Sequence, residues 1–280
     1  MIQTAYEALV LDIDGTLATD EGEIRPRNRA ALRAARAAGV RVMLATGRSE
    51  GSTVPLLADL GLDTPAILYN GAGVFCPVRG RLIEERLLGE RTVRKTLAFA
   101  GARGILPVVM RYGAKFAPPP RDAAETDALR LLTDLCLVAD GRLPIENLLR
   151  ISLFSGRHAS LEALAADLQR AVDLPAYVTH FPLAMLPGHR ASPLFVADVQ
   201  PPCRGKAEAL RVLEERYGIP AARVVAVGDA QNDLPLLEEA GLGVAMANAV
   251  PEARAAADRV IGSNNSDAIA ELVEELFGVT

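Results

Sequence analysis

A short apolar run at residues 8–13 (ALVLDI) ends in Asp-Gly, which predicts a buried strand followed by a turn. After a polar stretch, a helix is predicted from Pro26 to just before Gly39, with proline in its first turn and glycine past its end. The unit then repeats. A strand is expected over 41–45 (RVMLA), a helix over 49–60 closed by Gly61, and a strand over 66–69 that runs into Asn70-Gly71-Ala72-Gly73. Strands that alternate with helices need right-handed crossovers, and such crossovers give a parallel sheet with helices on both faces.

From about residue 82 to 190 the alternation breaks. Pro118-Pro119-Pro120 and other turn signals separate candidate strands at 106–111, 148–154 and 176–179. Leu161, Leu164, Ala165, Leu168 and Val172 fall on one apolar stripe of a helix, a core face. The stretch reads as a smaller α+β unit. After an apolar run at 194–198 the alternation resumes with a helix over 205–217, a strand over 224–227, a helix over 234–240 and a strand over 242–246. An α/β pattern that is interrupted and then completed points to an insertion. The expected fold is a Rossmann-like parallel α/β sheet core formed by 1–81 and 191–280, with an inserted α+β cap at 82–190.

Composition narrows the partners. With 280 residues, the chain has room for one large domain or two modest ones, and 4% aromatics suit α/β better than an aromatic-rich β sandwich. Net charge is −5, and Lys and Arg are scattered, so the basic stripe of a nucleic-acid binder is missing and no nucleic acid is expected as partner. Cys76, Cys136 and Cys203 form no CxxC or CxxH pairing, which fits reduced thiols. The first residues lack the basic start and apolar core of a signal peptide, and no uncharged apolar run approaches the roughly 18 residues of a spanning helix. A cytoplasmic protein without a membrane partner is therefore expected. Nothing in the sequence bears on oligomeric state.

The chemistry gathers where predicted strands end. Asp12 and Asp14 leave the first strand on the same side, at the carboxyl edge where open α/β sheets bind ligands. Carboxylates that close repel until a proton or a cation relieves them, and hard, oxygen-seeking Mg²⁺ is the natural relief. Thr46-Gly47-Arg48 follows the second strand and offers a hydroxyl and turn amides to phosphate oxygens. Lys206 opens a helix, where ammonium and free amides favour an anion. Gly228-Asp229-Ala230-Gln231-Asn232-Asp233 adds two carboxylates after another buried strand. His158, His180 and His189 have no metal-ligand spacing and read as structural. GxSxG, GxxxxGK[ST] and a strand-borne GxGxxG are all absent, which removes serine-hydrolase, P-loop and dinucleotide-binding readings.

DIDGT, ATGR, Lys206 ahead of an amphipathic helix, and GDAQND, in this order, resemble the four motifs of the haloacid dehalogenase-like hydrolases. Asn70-Gly71-Ala72, the late insertion, and GVAMANA followed by AD and SNNSD narrow the resemblance to the Cof-type phosphatase branch. The resemblance implies a phosphatase in which Asp12 attacks phosphorus and Asp14 is the acid and base. It also implies Mg²⁺ held by Asp12, the Asp14 carbonyl, Asp229 and Asp233, and phosphate or substrate binding by Thr46, Gly47, Lys206, Asn232, Arg48 and Asn70. The implied substrate is a small phosphorylated metabolite. Ala247 and Ala268-Ile269-Ala270 stand where such proteins usually place glycine. A phosphomutase of the same superfamily, and a non-hydrolytic phospho-acceptor or ligand-sensing module, stay open as alternatives.

Overall fold

The structure, a computed structural model, describes residues 5–186 and 188–279. The chain opens with β1 (Ala8–Leu11), α1 (Pro26–Ala37), β2 (Arg41–Leu44), α2 (Glu50–Leu60), β3 (Ala66–Leu68), β4 (Gly73–Cys76) and β5 (Arg81–Glu85). It continues with α3 (Glu90–Arg103), β6 (Leu106–Arg111), β7 (Ala114–Ala117), α4 (Ala123–Arg130), β8 (Leu135–Leu137), β9 (Arg150–Ser155), α5 (Leu161–Ala171), β10 (Tyr177–Pro182) and β11 (Phe195–Gln200). It closes with α6 (Glu208–Tyr217), β12 (Val224–Gly228), α7 (Leu234–Glu239), β13 (Leu242–Met246), α8 (Pro251–Ala256), β14 (Arg259–Ile261) and α9 (Ala268–Phe277). Two compact units result: residues 5–48, 52–84 and 204–279 form one, and Ser49–Gly51 with Glu85–Cys203 form the other.

The first unit is built on a five-stranded parallel sheet of order β14-β13-β12-β1-β2. All four residues of β1 are buried, so the strand reads as a continuous apolar run, as expected for a sheet covered on both faces. On one face Val10, Met43 and Ala226 pack with Leu210 and Leu213 of α6 and Leu236 of α7. Leu9 and Leu11 alternate to the opposite face, where α1 packs against β2 and α9. Each such side chain contributes about 1.5–3 kcal/mol on full burial. β12 is the sequence-distant neighbour of β1, with Ala8 opposite Val224 and Leu11 opposite Val227. That pairing brings the two ends of the chain into one sheet. β3 continues from β2 through a parallel bridge of Ala45 to Ile67, and forms a small three-stranded sheet with β4 and β5.

The second unit carries a six-stranded sheet of order β10-β11-β9-β6-β7-β8, antiparallel except where β7 meets β8. Val93 and Phe99 of α3, Leu164 and Leu168 of α5, and Val109, Ile151, Leu153 and Ala197 of the sheet close its core. Ser160 caps α5, its hydroxyl accepting the Ala163 N–H at 3.2 Å.

One strand belongs elsewhere than expected. The run at 194–198 was expected to resume the first sheet, yet β11 pairs antiparallel with β10 and β9, setting Phe195 against Pro182 and Asp198 against Ser152. Its buried, nearly unbroken apolar face fits either sheet, and strand sequence alone does not name the partner. The inserted unit therefore runs to Cys203, where a boundary at 190 was expected. Among the described residues, no helix is long and apolar enough to cross a membrane.

Candidate active site

Asp12 continues the line of β1, its N–H donating to the Val227 carbonyl at 3.0 Å. The chain then turns sharply: Ile13 O accepts the N–H groups of Thr16 (3.3 Å) and Ala18 (2.8 Å), and Gly15 adopts φ +77°. A side chain there would also collide with Asp229, whose Oδ2 lies 2.3 Å from where a Cβ would stand. Glycine is required twice over: for the left-handed backbone and for the close approach.

Behind β12, Asp229 and Asp233 are set by a second tight turn. The Asp233 Oδ2 accepts the backbone N–H of Asp229 at 3.1 Å and of Ala230 at 3.0 Å. Gly228 leaves room for that carboxylate, whose Cγ sits 2.5 Å from the position of an added Cβ. Thr16 donates its hydroxyl to Asp229 Oδ1 at 2.9 Å, tying the first turn to the second. Lys206, on the turn ahead of α6, places Nζ 2.7 Å from Asp12 Oδ1 and 2.7 Å from Asp233 Oδ1. Its side chain is 1% exposed, and Asp233 is fully buried.

Asp12, Asp229 and Asp233 thus offer oxygens all within 4.8 Å of one another. One buried ammonium faces three buried carboxylates, and Asp12, Asp229 and Lys206 feel the imbalance. Burial drives the Asp12 carboxyl well above its ordinary range; Lys206 opposes the rise, and Asp233, Asp229 and Asp14 add to it. Burial likewise pushes Asp229 up to about 7, with Asp233 reinforcing and Lys206 resisting. For Lys206, burial alone lowers the ammonium, but Asp12 and Asp233 outweigh it and hold it above the usual lysine range. An all-oxygen donor set with surplus negative charge fits a hard divalent cation of the Mg²⁺ type.

A second group of expected residues forms a continuous arc in the same unit. Arg48 grips Asp14 in a bidentate pair, Nε to Oδ2 at 2.8 Å and Nη2 to Oδ1 at 2.6 Å. The Arg48 N–H donates to Thr46 Oγ1 at 3.1 Å, and the Thr46 carbonyl accepts the Asn70 N–H at 3.0 Å. Asn70, at φ 49° and ψ 46°, lays its amide over Gly47, 3.1 Å from where a Cβ would stand. Asn232 donates Nδ2 to Asn70 Oδ1 at 3.0 Å, while its own Oδ1 is buried with no hydrogen-bond donor among the described residues. Asp14 is therefore brought to Arg48, and its side chain is not one of the clustered carboxylates.

Sequence reasoning singled out neither Thr16 nor the pair Asn248 and Asn264. Asn248 donates to the Gly15 carbonyl at 2.7 Å and accepts the Asn264 N–H at 2.9 Å, while Asn264 reaches the Ala18 carbonyl at 3.0 Å. Together they brace the Gly15 turn. Their signal lay in GVAMANA and SNNSD, small polar clusters that follow short apolar runs. Two of the three histidines make local contacts in the second unit: His158 with Ser155 (2.8 Å) and Asp167 (3.4 Å), and His189 with Asp127 (3.1 Å).

Residues 9–273 match the family of haloacid dehalogenase-like hydrolases. The chain is 26% identical to the 5-amino-6-(5-phospho-D-ribitylamino)uracil phosphatase YitU of Bacillus subtilis (strain 168), over 99% of this chain and 100% of the relative. It is 25% identical to the pyridoxal phosphate phosphatase YbhA of Escherichia coli (strain K12), over 95% and 96%. A haloacid dehalogenase-like hydrolase from Bacteroides thetaiotaomicron superposes with a TM-score of 0.76 at 26% identity, covering 96% of this chain and 99% of that one. The sugar phosphatase BT4131 shares the fold at a TM-score of 0.80 and 22% identity, with 98% and 100% covered. With its family matched across nearly its whole length, and its four motif clusters gathered at the carboxyl edge of one parallel sheet, the chain belongs to the haloacid dehalogenase-like hydrolases.

Proposed function

We propose that the chain is a Mg²⁺-dependent phosphomonoester hydrolase that passes the phosphoryl group of a small phosphorylated metabolite to Asp12 and then to water. The observation that carries this reading is the buried cluster itself: Asp12 stands at a strand end between one ammonium and two further carboxylates, with oxygens within 4.8 Å. Asp12 and Asp229 would hold the cation, joined by Asp233 and the main-chain carbonyl of Asp14. When bound, the cation offsets the charge of the phosphoryl oxygens and of the carboxylates around them.

The chain's own residues do the rest. An Asp12 carboxylate oxygen bonds to phosphorus as the bond to the leaving oxygen breaks, and Asp14 gives that oxygen a proton. Asp14 next takes a proton from the water that attacks the acyl phosphate; inorganic phosphate leaves and the Asp12 carboxylate is restored. Lys206, fixed by Asp12 and Asp233, offsets charge on the transferring group. The Thr46 hydroxyl and the orphaned Asn232 Oδ1 lie on the arc that would meet the substrate, with Asn70 and Gly47 shaping it. We assign the second unit the part of a cap that selects the leaving group. By their names, two relatives act on a phosphorylated ribitylaminouracil and on pyridoxal phosphate, and substrates of that class are proposed here.

The test is phosphate release from a panel of phosphorylated metabolites and p-nitrophenyl phosphate, with Mg²⁺ and with chelator. Turnover should need the cation and vanish in Asp12→Asn. Full turnover in Asp12→Asn, or persistent protein labelling without phosphate release, overturns the reading.

A further inference from the structure

Asp14 is the residue asked to move protons, yet nothing in the carboxylate cluster holds its side chain. One guanidinium takes both of its oxygens, at 2.8 Å and 2.6 Å. Arg48 is itself fixed from several directions. Its N–H donates to Thr46 Oγ1 at 3.1 Å, its carbonyl accepts the Tyr69 N–H at 3.1 Å, and its side chain is only 23% exposed. Asp14 is 25% exposed, enough for a carboxylate to turn freely if nothing gripped it. A fork-to-fork pair removes that freedom, because two parallel N–H bonds define the plane of the carboxylate as well as its distance.

We propose that Arg48 is a positioning residue: it acts through Asp14, aiming the carboxyl at the leaving oxygen, and does not grip the transferring phosphate. This rests on the function proposed above. The motif resemblance places Arg48 among the phosphate-binding residues; the geometry points elsewhere, since a guanidinium already matched to Asp14 must break two short bonds to reach a phosphate. In the transfer step the bond from Asp12 to phosphorus forms, the bond to the leaving oxygen breaks, and that oxygen takes the Asp14 proton. While one Asp14 oxygen carries the proton, the other keeps its N–H partner and the carboxyl stays aligned.

Leaving-group chemistry separates the two roles. p-Nitrophenolate departs without a proton, whereas an alkoxide needs one, so in the transfer step, which kcat/KM reads, the Asp14 proton matters only for the second; the later attack of water is common to both. Arg48→Ala should lower kcat/KM about 100-fold on an alkyl phosphate taken from the metabolite panel, and by less than about threefold on p-nitrophenyl phosphate. Added to Asp14→Asn, the same change should cost nothing further. Arg48→Lys keeps the charge without the fork and should fall between, and free guanidinium ion should restore part of the alkyl-phosphate rate to Arg48→Ala. Equal losses on both substrates, full additivity with Asp14→Asn, or no loss on either overturns the proposal. An active wild type with such a result overturns this inference alone; a wild type that releases no phosphate, or an active Asp12→Asn, overturns both.

Discussion

Three carboxylates and one ammonium share the buried end of the first sheet, and the arithmetic of charge sets what each residue does there. Asp233 has both oxygens engaged, one by Lys206 and one by the two turn amides, so it orients its neighbours more than it meets solvent. Asp12 and Asp229, both raised by burial and by Asp233, are the groups whose charge a cation would relieve. Mg²⁺ should accordingly raise the melting temperature, with about 2.7 kcal/mol gained at one hundred times the dissociation constant. Asp229→Asn should abolish the gain, which differential scanning calorimetry over a Mg²⁺ series would read. Most of this site was legible beforehand, because each acidic or basic member follows a strand or opens a helix. The pairing of Asp14 with Arg48 was not: a motif says which residues gather, and only side-chain geometry says which of them touch. Thr16 was hidden for the same reason, its hydroxyl being indistinguishable in sequence from an ordinary turn residue.

Among the elements, the two turns that follow β1 and β12 hold the site, and both depend on an absent side chain. Gly15→Ala should cost about 1–3 kcal/mol from its φ of +77° alone. Because the new Cβ would strike Asp229 Oδ2, the variant should also bind Mg²⁺ more weakly; urea unfolding with and without the ion separates the two effects. Periodicity located β1, β2, α1, α5 and β13 closely, since each presents a long apolar stripe or an unbroken buried run. It missed short strands such as β7, β8 and β14, where three or four residues give too little pattern to count. β11 was found but assigned to the wrong sheet, because hydrogen-bonding partners between distant strands are chosen by the assembled core.

At the scale of the whole chain, the two units have separate hydrophobic cores, one around Val10 and Leu213, the other around Phe99 and Leu168. Residues 85–203 expressed alone should therefore fold cooperatively, with a single urea transition by circular dichroism; a featureless, non-cooperative curve would show that the second core needs the first. The places where the chain passes between units carry a consequence of their own. It leaves for the insert at Glu84 and Glu85 and returns at Cys203 and Arg204, with Lys206 following almost at once. The irregular stretch between β8 and β9 can gain or lose residues without disturbing the cluster, whereas one residue added between Cys203 and Lys206 would carry the ammonium out of register with Asp12. Under the cap role proposed above for the second unit, variation that retunes substrate choice is thus free to rewrite the interior of the insert, provided the stitches at its margins keep their length.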